Sequence, residues 1–145
     1  MIAVDTNILV YSHREDSAFH ESAFRAVRDL AESGRLWSIP WPAIHEFLAI
    51  VSHPKIYSPP TPLPDALRQV NSWMECPTFS LIGETGEVYF RYLSHLLEVS
   101  RAVGPRVHDA RIAAICLSHG VDELWTADRD FSRFPGLTVK NPLVS

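Results

Sequence analysis

Short β-branched runs alternate with longer stretches of helical apolar spacing along this chain, and that order constrains its fold more than any other feature. Ile2–Val4, Leu36–Ile39, Thr78–Ile82 and Glu123–Trp125 read as strands, with Leu137–Val139 a short fifth. Between them fall helical patterns. One starts at Ser17 and stops at Gly34, and one opens at Pro42 with Ile44, Phe47, Leu48 and Val51 on its buried side. Another is capped by Asp65 and carries Ala66, Val70 and Trp73. Glu87–Val99 forms a fourth, and Arg106–His119, opened by Pro105, forms a fifth with a small-residue stripe from Val107 to Leu117. Strands separated by helices are joined by right-handed crossovers, which predicts a three-layer α/β/α domain with a mostly parallel sheet of four or five strands. At 145 residues, 46% of them hydrophobic, the chain has material for one continuous core, and a single domain over 1–145 is expected.

Two stretches break the alternation. HPKIYSPPTPLP, residues 53–64, is too rich in proline for regular structure and reads as an extended surface arm. The first strand runs straight into a polar cluster, Asp5-Thr6-Asn7, before the apolar pattern resumes at Ile8. A carboxylate among buried groups costs free energy unless it meets a partner, a cation or water.

In open parallel sheets, ligand sites gather beyond the carboxyl ends of the strands. Asp5 and Asp128 follow two of the predicted strands, and Glu46 and Asp109 lie in helices among largely apolar neighbours. The four carboxylates have no obvious salt-bridge partner. Carboxylates that converge raise one another's pKa, so a cluster ionised at neutral pH needs a cation. An all-oxygen donor set points to Mg²⁺, with Mn²⁺ a substitute. Such an ion, and a second if present, would activate water and polarise a phosphate, which is phosphodiester-cleaving chemistry.

Taken singly, each residue has a plainer reading. Asp5 can be a turn residue, Glu46 a solvated helix residue, Asp109 a first-turn acid favoured by the helix dipole, and Asp128 the N-cap of a short helix through Phe131. Asp130 reads as a surface acid paired with Arg129 or Arg133. Arg14, Lys55, Arg111 and Arg129 can contact phosphate, and Tyr57 on the proline arm can meet a base or a partner protein. His13, His45 and His108 flank the acids without a role of their own. Trp37, Trp41 and Trp125 are expected in the core, as are Cys76 and Cys116, whose spacing suits neither a metal nor a disulfide framework. A net charge of −4 argues against a broad basic surface, so phosphate would have to be met locally at a cation. No leader pattern or span of about 18 apolar residues occurs, and a cytoplasmic protein without membrane contact is expected.

VDTNILVY, the lone acid of HEFLAIV, HDARIAA and TADRDF, in that order, resemble the PIN-domain ribonucleases of the VapC toxin type over nearly the full length. The resemblance implies that Asp5, Glu46, Asp109 and Asp128 are the catalytic acids, with Asp5, Asp109 and Asp128 holding the metal. Asn7, Thr126 and Asp130 would support them. It further implies an RNA substrate, a homodimer and a small cognate antitoxin of the VapB type that occludes the site. Two rival readings compete with it: a phosphoacceptor signalling module of the receiver kind, and a catalytically silent PIN-like binding domain. The first would want adjacent acids after the first strand, where Thr6 and Asn7 stand instead.

Overall fold

The computed structural model describes residues 1–144. In chain order the elements are β1 (Ile2–Val4), α1 (Thr6–His13), α2 (His20–Glu32), β2 (Trp37–Pro40), α3 (Trp41–Val51) and α4 (Leu63–Met74). They continue with β3 (Phe79–Ile82), α5 (Gly86–Ser100), α6 (Arg106–Ser118), β4 (Glu123–Trp125) and β5 (Thr138–Lys140). One 3₁₀ turn, Arg129–Arg133, precedes β5.

All five strands are parallel, in the order β3-β2-β1-β4-β5. From β1 the chain moves outward through β2 to β3, then returns to the other side of β1 for β4 and β5. The order therefore reverses between β1 and β4, and a crevice opens beyond the carboxyl ends of those two strands. Val4 pairs with Trp125 in register, and the Asp5 amide donates to the Trp125 carbonyl at 2.9 Å. Asp5 and Thr126 thus leave the sheet side by side.

Side-chain alternation along the strands builds a core on each face. Ile2, Val4, Trp37, Ile39 and Trp125 join the cluster formed by α1–α4, whereas Ala3 and Leu124 join the cluster under α5 and α6. Ala110, Ala113 and Ala114 are fully buried, and their small side chains let α6 lie close to the sheet. Around Phe47 the first cluster is aromatic: its ring meets Trp73 at 5.0 Å and His13 at 5.3 Å, both edge-on.

The structure corrects the sequence reading in several places. β2 begins at Trp37, one residue later than expected, and Leu36 is exposed. Ser17–Phe19 forms a turn before α2, and Val107 lies exposed at the start of α6 rather than in its buried stripe. α4 starts at Leu63 and so takes in the last two residues of the proline arm; Asp65 sits in its first turn, ion-paired with Arg68, and is not the cap. Proline is tolerated there because first-turn amides have no helical acceptor to lose. Trp41 is 44% exposed, its indole 3.1 Å from where a Cβ on Gly83 would stand, so it packs on backbone rather than in the core. Cys76 is half-buried and accepts from the Trp37 indole N–H at 3.5 Å. Cys116 is buried as expected, and burial raises its thiol pKa. Among the described residues, no helix is long and apolar enough to cross a membrane.

Candidate functional site

Asp5 ends β1 and caps α1: its Oδ1 accepts from the Thr6 amide at 2.8 Å. Its Oδ2 accepts from the Thr126 hydroxyl at 2.8 Å. With its one proton committed to Asp5, the Thr126 oxygen accepts from Asn7 Nδ2 and from the Asp128 amide, both at 3.1 Å. Asn7 completes the ring by accepting from the Ala127 amide at 3.0 Å. The polar residues after β1 and β4 therefore form one closed network that fixes two acids relative to each other.

The other two acids arrive on helices. Glu46 lies at the middle of α3, and its Oε2 accepts from the Thr6 hydroxyl at 2.7 Å. Asp109 stands half-buried in the first turn of α6. Asp128 caps the 3₁₀ turn, its Oδ1 accepting from the Asp130 amide at 2.9 Å, so its cap reading and its place in the site hold together. Asp5, Glu46, Asp109 and Asp128 all line one cleft of about 660 Å³, with Asn7, His45, His108 and Arg111.

Electrostatics single out Asp5. Only 6% exposed, it is pushed up to about 6, chiefly by burial and further by the charges of Glu46 and Asp109, against the pull of the bonds from Thr126 and Thr6. Asp109 is raised too, by burial first and then by Asp128, while Arg106 pulls it back. Among the described residues none of the four acids forms an ion pair. The nearby arginines are engaged elsewhere: Arg106 pairs with Asp130 at 3.0 Å, and Arg111 with Glu84.

Two expectations change here. Asp130 pairs with Arg106 rather than Arg129 or Arg133, and it does not line the cleft. Arg14 spends its guanidinium on Asp16 and Thr61 and stacks on Tyr57, so its donors are not free for phosphate; neither it nor Arg129 lines the cleft, whereas Arg111 does. Lys140, which a receiver-like reading needs near the acids, lies on β5 beside Trp125. Thr6 carried no role in the sequence reading. Its position between two polar residues in VDTN was the only signal, and its contact 40 residues away is visible only in the fold.

Among the described residues, no three acidic, histidine or cysteine side chains stand at the spacing of a ready-made metal-ligand set. Mg²⁺ does not require one, since it commonly takes one or two carboxylates and keeps several waters. The donor set is all oxygen, its members lack an ion-pair partner among the described residues, and burial, with the charges of Glu46 and Asp109, raises the pKa of one of them, Asp5. Those features fit a hard divalent cation.

Comparison with known proteins accords with this arrangement. Residues 2–137 match the PIN domain family. The chain belongs to that family. Ribonuclease VapC48 of Mycobacterium tuberculosis is a PIN relative 30% identical over 142 residues, covering 95% of this chain and 94% of its own. Ribonuclease VapC43 of the same organism is also 30% identical, covering 99% and 96%. Among solved PIN structures, VapBC2 from Rickettsia felis, bound to a DNA fragment from its promoter, superposes with a TM-score of 0.70 at 20% identity, over 97% of this chain and 98% of that one. FitAcB from Neisseria gonorrhoeae does so with a TM-score of 0.68 at 18% identity, over 98% of each. The shared PIN fold is thus the three-layer, parallel-sheet architecture described above.

Proposed function

We propose that this PIN domain is a VapC-type endoribonuclease toxin that hydrolyses RNA phosphodiester bonds with the help of Mg²⁺ or Mn²⁺. A small VapB-like antitoxin would hold it inactive, and the working form would be a cytoplasmic homodimer. One observation carries the catalytic part: four carboxylates from four separate segments line a single cleft, with no salt-bridge partner among the described residues. The relatives named as ribonucleases, and the solved VapBC assemblies of the same fold, support the substrate and the antitoxin.

Asp5, Asp109 and Asp128 would hold the cation, with Asp5 pinned by Thr126 and Thr6. When bound, the cation supplies an acidified water and a Lewis acid for the phosphate oxygen. Glu46, steadied by Thr6 through one oxygen, has its other oxygen without a partner among the described residues and is placed to take a proton from the attacking water. Water oxygen bonds to phosphorus as the bond to the leaving ribose oxygen breaks, and solvent returns a proton to that oxygen. Arg111, half-exposed on the cleft wall, is placed to meet a phosphate oxygen once it swings off Glu84.

Cleavage of total RNA with Mg²⁺ present tests this. Wild-type protein should cut, and either a chelator or Asp5→Asn should abolish cutting with the fold intact by circular dichroism. Undiminished cleavage in either case refutes the mechanism.

A further inference from the structure

The cleft that holds the acids has a second wall of different chemistry. Val10 and Tyr11 lie about one turn along α1 from Thr6, Ile50 lies one turn along α3 from Glu46, and Tyr57 reaches in from the proline arm. One helical turn is about 5.4 Å, so this apolar wall begins within a nucleotide's length of the carboxylates.

Tyr57 is held rather than loose. The Arg14 guanidinium carbon stands 4.3 Å from the ring centroid, and Arg14 is fixed in turn by two bonds to Asp16, at 2.9 and 2.7 Å, and by one to Thr61 at 3.1 Å. Thr61 is buried and donates its amide to the Val51 carbonyl at 2.8 Å, while the Tyr57 amide donates to the His53 carbonyl at 3.0 Å. The Thr61 bond therefore anchors the arm to the end of α3, the Tyr57 bond closes a turn within the arm, and Arg14, the C-cap of α1, clamps it from the other side. A rigid aromatic ring presented to a cleft loses little entropy when a flat partner stacks on it.

We propose that Tyr57 is the stacking platform for a nucleobase next to the scissile phosphate, which makes the proline arm part of the substrate site. This rests on the ribonuclease reading of the same cleft. The occupant is nucleic acid because the ring lines the same cleft as the carboxylates proposed to act on a phosphodiester. Arg14 acts as a positioning residue, its charge already neutralised by Asp16. Stacking accepts any base, so the subsite sets affinity more than sequence choice.

A labelled single-stranded oligoribonucleotide, mapped for its cleavage site with wild-type protein, tests the platform together with variants carrying an abasic ribose at each position flanking that site. Binding is read by anisotropy in Ca²⁺ and cleavage as kcat/KM in Mg²⁺. Wild-type protein should lose roughly tenfold to a hundredfold in both on one abasic strand. Tyr57→Ala should lose as much on the intact strand, mainly through KM, and nothing further on that abasic strand, whereas Tyr57→Phe should match wild type. Equal losses by Tyr57→Ala on every strand would show that the ring only supports the arm and would overturn the platform. So would normal RNA binding by Tyr57→Ala, including a variant that has lost only the capture of an antitoxin protein. A wild-type chain that binds the intact strand more tightly than Tyr57→Ala but cuts nothing would contradict the nuclease reading and leave the platform standing. A wild-type chain that neither binds nor cuts would end both.

Discussion

The Thr126 hydroxyl donates to Asp5 Oδ2 at 2.8 Å, joining residues 121 positions apart and tying the ends of β1 and β4 into one polar ring. That bond favours the charged form of Asp5, whose carboxyl is nonetheless pushed up to about 6, chiefly by burial. Thr126→Val removes the donor and also strips an acceptor from Asn7 and from the Asp128 amide. The variant should unfold about 1–3 kcal/mol more easily in urea. The acid limb of its cleavage pH profile should move to higher pH, while Thr126→Ser restores both. An acid limb that stays in place while stability falls would make Thr126 a purely structural residue.

Thr6 and Glu46 form the second defining pair, at 2.7 Å. Thr6→Val keeps the shape of a buried side chain but frees Glu46 to rotate. A hydrogen bond to a charged group contributes about 1.5–3 kcal/mol, so kcat should fall roughly tenfold or more, with KM little changed and Thr6→Ser close to wild type. Unchanged kcat in steady-state cleavage assays would remove Glu46 from the proton transfer.

Asp5 makes the metal-free fold sensitive to pH in a direction opposite to that of most salt-bridged carboxylates. Its folded pKa, about 6, lies above the ordinary 3.8, so between those values the folded chain keeps a proton that the unfolded chain has released. This contribution to stability is present below about 4 and is lost as pH rises through 6, a loss of about 3 kcal/mol. In chelator, Asp5→Asn should escape that loss and stand about 1–3 kcal/mol above wild type at pH 7.5 while matching it more closely at pH 4. Parallel urea stability profiles for the two proteins across pH 4–8 would contradict the burial assigned to Asp5.

Much of this was legible in the sequence, for reasons that differ by residue. Strand–helix alternation reports which faces are buried, and the strands and their parallel direction follow from it with boundary shifts of a residue or two, whereas the order β3-β2-β1-β4-β5 does not. Asp5 and Asp128 were legible because strand ends in such a sheet open on the crevice. Trp41 misled because its apolar surroundings are met by packing on Gly83 at the rim rather than by burial. The pairing of Asp130 with Arg106, and the Thr6–Glu46 bond, join segments whose nearness depends on tertiary packing. Asp65 reads as a cap from its type alone, yet helix formation begins two residues earlier, at Leu63, because proline suits the first turn.

Calorimetric titration of Mn²⁺ into chelator-stripped protein, run at pH 6 and pH 8 in two buffers of different ionisation enthalpy, is the most direct measurement of whether the four acids form a cation site. Saturable binding should occur at both pH values, with release of about half a proton from Asp5 at pH 6 and almost none at pH 8, and Asp5→Asn should weaken it at least tenfold. Absence of saturable binding at millimolar Mn²⁺, or binding indifferent to Asp5→Asn, would contradict a shared cation and with it the proposed hydrolysis.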